Sequence, residues 1–181
     1  MNIKFSKLFF SFFSIFTLIS FLITGCSDKK NKNNLNNVEN DVLIENANDI
    51  IPFFQHWNLI LGDGSNVGQA TNYENKDFFY TAKDDNENWV VFKSPNAGNT
   101  HGTSNNTRTE LAQLKKWSPM TDAKMNATLK VMNVSTTGDA RVAATYSVVV
   151  GQIHSADGHE NEPLKIFYKK FPGHTKGSVF W

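Results

Sequence analysis

The sequence predicts an all-β domain, a sandwich or jelly roll, and three observations carry that prediction. Short runs rich in β-branched and aromatic residues recur from Trp57 onward. Clusters of Gly, Asn, Asp and Pro separate them, which is the chemistry of turns between antiparallel strands. No stretch of ten or more residues carries helical apolar spacing, so a layered β architecture is favoured over α/β. The composition agrees: 40% hydrophobic, 13% aromatic and 19% charged residues mark a globular chain and not a disordered one. With 18 Lys+Arg against 17 Asp+Glu, there is no basic excess to argue for a nucleic-acid partner.

The first 25 residues stand apart. They hold seven Phe, four Ile and three Leu with no acidic residue. Lys4 and Lys7 make a positive start, and Leu8 to Ile23 is a nearly unbroken apolar run. That run is short of the roughly 18 to 20 residues of a spanning helix, and a secretory signal is the better reading. Leu22-Ile23-Thr24-Gly25-Cys26 closes it and resembles a bacterial lipobox. The expectation is therefore an exported bacterial lipoprotein, cleaved before Cys26 and held on the membrane by lipid on that cysteine. Ser27 behind it favours the outer membrane. Cys26 is the one cysteine, so no intramolecular disulfide supports the exported fold.

Residues 26–50, with the run Asn33-Asn34-Leu35-Asn36-Asn37, suit a solvated tether with a short helix around Val42 to Ala47. The folded part is expected over residues 51–181, as one domain. Its strands are predicted at Trp57 to Leu61, Phe78 to Thr81, Trp89 to Phe92, Thr107 to Leu114, Met125 to Val134, Arg141 to His154, Leu164 to Phe171 and Ser178 to Trp181. Between them lie turn sequences such as Gly62-Asp63-Gly64-Ser65-Asn66, Asp84-Asp85-Asn86 and Thr137-Gly138-Asp139. The glycines of the first do not form a phosphate loop, since neither a following Lys-Ser/Thr nor a helix is present.

Two constellations carry chemistry. In Thr107-Arg108-Thr109-Glu110-Leu111 the period of two puts Arg108 and Glu110 on one strand face, with Thr109 and Leu111 on the other. Glu110 can fix one edge of the guanidinium and leave another free for a substrate carboxylate; the plainer alternative is a surface ion pair. In Val148-Val149-Val150-Gly151-Gln152-Ile153-His154 an apolar strand ends in two polar side chains, Gln152 and His154, on one face, as happens where a sheet opens into a cleft. The alternative is a core histidine satisfied by a carbonyl. Tyr146 shares the nominal parity of Gln152 and is placed along the same groove. His101 is a candidate for its rim, and Lys165 is read as a solvated edge residue.

These two blocks, in this order, resemble the first two signature motifs of polysaccharide lyase family 7, the alginate lyases. Trp57-Asn58-Leu59, Phe78-Phe79-Tyr80, Trp89-Val90-Val91-Phe92, Pro95-Asn96-Ala97-Gly98-Asn99-Thr100 and Glu162-Pro163-Leu164-Lys165-Ile166 extend the similarity from about residue 53 to 181. The resemblance implies a concanavalin-like jelly roll that binds an acidic polysaccharide, alginate or a related polyuronate, and cleaves it by β-elimination with no metal or other cofactor. It implies that Arg108 and Gln152 neutralise the uronate carboxylate, that His154 joins them or takes the proton, and that Glu110 orients Arg108. Substrate contacts are accordingly expected from Arg108, Glu110, Gln152 and Tyr146, in a monomer.

Two departures from that family matter. Where the first motif commonly has a second arginine, this chain has Ala112; Lys115 and Lys116 are imperfect substitutes. The third motif, a late strand with the catalytic tyrosine, is absent, and Tyr168 in Ile166-Phe167-Tyr168-Lys169-Lys170 lies too soon after His154 to replace it. The expectation is an inactive N-terminal portion of a catalytic domain. Two other functions are weighed: a noncatalytic acidic-polysaccharide-binding jelly roll, and a metal-dependent hydrolase using His154, Asp157, His159 and Glu160.

Overall fold

The computed structural model describes residues 46–84, 86–121, 123–156 and 162–181, and the backbone of 2–9. The chain order is β1 (Asn2–Phe9), α1 (Ala47–Ile50), a 3-10 turn at Phe54–His56, β2 (Trp57–Ile60), β3 (Asn66–Gln69), β4 (Phe79–Asp84) and β5 (Glu87–Lys93). Then follow β6 (Glu110–Gln113), β7 (Asn126–Val131), β8 (Ser147–Ile153), β9 (Leu164–Lys169) and β10 (Ser178–Phe180).

Helix α1 starts later than expected because its cap is Asn46. The Asn46 side chain accepts from the Asn48 N–H at 3.0 Å, and Asp49 accepts from the Asn46 N–H at 3.1 Å, a capping box that satisfies two first-turn donors. Ala47, ahead of Ile51, is 2% exposed and belongs to the same core. The expected strands all form, several of them shortened. The Arg141–His154 run keeps only Ser147–Ile153, because Tyr146 sits at φ 61° and the residues before it turn on Asp139. Strand β3 falls where only turn chemistry was legible at its start. Asn66 and Gly68 have poor strand propensity, and pairing with β2 through Asn58↔Gln69 and Leu59↔Gly68 supplies what propensity does not.

Three sheets form, with strand orders β4-β5-β1-β7, β3-β2-β6 and β10-β9-β8. All three contribute to one core of Phe54, Leu59, Leu61, Phe79, Val90, Phe92 and Val148, joined by Ala47 of α1 and its C-cap Ile51. Phe79 is its centre, meeting Phe54 and Phe92 edge to face at 5.6 and 5.1 Å between centroids. Gly62 permits the β2–β3 corner to lie on this core: a Cβ there would stand 2.5 Å from the Pro95 ring and 2.7 Å from Phe78. In the structure Asn2–Phe9, within the expected leader, is a strand antiparallel to both β5 and β7. Cys26 and the tether up to residue 45 lie outside the described residues. Among those residues no helix is long and apolar enough to cross a membrane.

Candidate functional site

Strand β6 and the residues leading into it behave as their alternation requires. On one face Thr107 and Thr109 donate their hydroxyls to the carbonyls of Pro95 and Lys93, the latter at 2.8 Å. Thr109 is buried, and Leu111 pairs with core Leu59. These anchors fix the twist of the strand, so the opposite face must present Arg108, Glu110 and Ala112. There the Arg108 Nη1 donates to Glu110 Oε1 at 3.0 Å, with the two side chains 27% and 28% exposed. Nη2 donates to the Ser104 hydroxyl, and the buried Nε has no partner among the described residues. Ser104 is a site residue that sequence reasoning did not single out.

Gln152 reaches the same place from another sheet, and a bulge puts it there. By simple alternation Gln152 would share the inward face of Val148 and Val150, both packed on the core. The β8–β9 register instead steps from Val149↔Phe167 to Gly151↔Ile166, so β8 holds one extra residue. A bulge of this kind re-aims the following side chains. Gln152 now pairs with Lys165 and faces away from the core, and its carboxamide donates to Glu110 Oε2 at 3.4 Å. Glu110 is thus the joint of the cluster, with Arg108 on one oxygen and Gln152 on the other.

His154 follows the end of β8, and its ring adjoins a second group. Nδ1 lies 2.9 Å from the Ser155 carbonyl, and Nε2 is 4.0 Å from Glu162. Glu162 also takes the Lys165 ammonium at 3.0 Å, and that hydrogen bond holds its carboxyl below the usual carboxylate range. Lys165 is therefore paired, opposite Gln152, where a solvated edge was expected. Lys116 reaches across from beyond β6 to the Ala156 carbonyl at 2.9 Å, beside His154. Arg108 thus precedes β6 and Lys116 follows it, Lys165 lies near the start of β9, and Ala112 within β6 pairs with Asn58 of β2.

Other expectations change. Tyr146 does not join this cluster: it precedes the bulge, which reverses its parity to Gln152, and its left-handed backbone turns it further. Its hydroxyl donates to Gly138 O at 3.2 Å and its ring packs on Phe171, about 20 Å along the strand from Gln152. Tyr168 packs against the core, on the inward face of β9. His101 is bound to the Gly64 carbonyl at 3.0 Å, in the loop before Arg108. Asp157, His159 and Glu160, invoked for a metal site, lie outside the described residues. Among the described residues no three metal-ligating side chains gather.

Comparison with known proteins meets this geometry from outside. A family model described as alginate lyase matches residues 51–181. An alginate lyase of Klebsiella pneumoniae is 31% identical over a match covering 62% of this chain and 43% of that protein. The crystal structure of the exolytic PL7 alginate lyase AlyA5 from Zobellia galactanivorans superposes with a TM-score of 0.70 at 62% identity, over 74% of this chain and 43% of its own. The chain therefore spans less than half the length of these two relatives. The match of the family model over residues 51–181, on a jelly roll that brings Arg108, Glu110 and Gln152 together, places the chain in polysaccharide lyase family 7, the alginate lyases.

Proposed function

We propose that this chain carries the uronate-recognising face of an alginate lyase, and that by itself it binds alginate or a related polyuronate without cleaving it. The observation that carries the reading is the Arg108–Glu110–Gln152 cluster. In β-elimination a base removes the proton on the carbon beside a uronate carboxylate, and the charge spreads onto that carboxylate. The C–O bond to the next sugar then breaks, leaving a double bond, and the departing oxygen takes a proton. The first step is slow unless the carboxylate is neutralised as its charge grows. Arg108 supplies charge-assisted donors there and Gln152 an amide donor, while Glu110 holds both in place. His154 lies next in line, as an added neutralising group or as the base, according to the stereochemistry of the uronate.

Among the described residues no tyrosine stands at the cluster to supply the acid that the leaving oxygen needs. All four tyrosines are among the described residues. Tyr73 and Tyr168 pack on the core, Tyr146 is bound to Gly138, and Tyr80 lies in β4 of another sheet. The protein is further proposed to act as an exported monomer, anchored through lipid on Cys26 at the outer membrane. The test is alginate mixed with the purified chain, followed by calorimetry and by ultraviolet absorbance of unsaturated ends. Binding that Arg108→Ala abolishes, with no rise in absorbance, is expected. Product formation would overturn the inactivity, and absence of binding would overturn the recognition.

A further inference from the structure

We propose that Ser104 is a positioning residue for Arg108, setting the angle at which the guanidinium meets an acidic sugar. A hydroxyl has one proton to give and two lone pairs to accept with. At Ser104 all three are used: Oγ accepts from Arg108 Nη2 and from the Asn106 N–H at 3.2 Å, and donates to the Asn106 carbonyl at 3.2 Å. A hydroxyl saturated in this way has no freedom to turn, so it holds the guanidinium against rotation.

The loop behind it is anchored as well. The Ser104 N–H bonds the His101 carbonyl at 3.3 Å, and the His101 ring is tied to Gly64 O at 3.0 Å. Gly64 is at φ +87°, and a Cβ on it would come within 2.8 Å of Thr100 O, so the turn and the loop fit closely. Arg108 is thereby clamped from two sides, Glu110 on Nη1 and Ser104 on Nη2. With Nε buried, the remaining hydrogen on each Nη is what the guanidinium has left for a ligand.

The consequence for binding rests on the functional reading above; the positioning itself does not. The experiment is nitrogen-15 NMR of the arginine side chains in the full chain, alongside calorimetry with alginate oligosaccharides, for Ser104→Ala, Ser104→Thr and Ser104→Cys. Thr keeps the hydroxyl, and Cys keeps the size with a poor acceptor. In the parent and Ser104→Thr, separate, slowly exchanging Nη resonances of Arg108 are expected. In Ser104→Ala and Ser104→Cys they should merge, with oligosaccharide affinity about five- to tenfold weaker. Resonances that stay separate in both Ala and Cys variants would overturn the proposal. If Ala does not fold, the Cys variant decides in the same way. A parent that binds no oligosaccharide would overturn the functional reading and leave the NMR result to decide the positioning.

Discussion

Glu110 gives the sharpest quantitative test. A double-mutant cycle of Arg108→Ala, Glu110→Ala and the pair isolates their interaction, since the bonds of Arg108 to Ser104 and of Glu110 to Gln152 cancel between its arms. At 3.0 Å and an effective dielectric near 20 the gross attraction is about 5 kcal/mol, most of it offset by desolvation and side-chain ordering. Fully exposed pairs net about 0.2–1 kcal/mol, and hydrogen bonds to charged groups in more sheltered places reach about 1.5–3. With a little over a quarter of each side chain exposed, the pair belongs between these ranges. A coupling of about 1 kcal/mol is expected, roughly a fivefold change in the folding equilibrium. Urea unfolding followed by tryptophan fluorescence measures it. A coupling below about 0.3 kcal/mol would show that the pair is a surface accident and that Glu110 does not hold Arg108.

Three further outcomes follow from the packing and the charges. Phe79→Ala should cost about 3–5 kcal/mol in urea unfolding, because it empties the centre of the aromatic cluster. Gly62→Ala should destabilise by about 1–3 kcal/mol, since the new methyl meets the Pro95 and Phe78 rings; an unchanged melting temperature would refute the close approach. Glu162 has a lowered pKa in the fold, so its small contribution is complete above the ordinary carboxylate range and lost as pH falls through the folded value. Carboxyl NMR should place its titration below that of an unperturbed glutamate, and Lys165→Ala should bring it back up.

Much of the fold was legible because alternation and turn chemistry are local. Thr109 inward and Glu110 outward followed from a period of two, and the structure places them so. What was not legible depends on partners distant in sequence. The β8 bulge is visible only against β9, and it reverses the parity from which Tyr146 was assigned to the groove. Strand β3 exists because β2 offers it a ladder. Ser104 was hidden for another reason: its importance lies in hydrogen bonds made by a polar loop whose composition resembles any other. Asn2–Phe9, expected as the start of a leader, pairs in the structure with β5 and β7, partners that local composition does not disclose.

The halves of the site sit on different sheets, with Arg108 and Glu110 reached through β6 and Gln152 through β8. Glu110 to Gln152 at 3.4 Å and Lys116 to Ala156 at 2.9 Å span the seam at its surface. On the proposed function, a polymer carrying an acid on every sugar would lie across both margins and draw them together like a strap over an open seam. Mass action then raises thermal resistance with occupancy, by about 2.7 kcal/mol at a hundredfold excess over Kd. Short saccharides that touch a single margin would give less of this tightening than chains long enough to reach both.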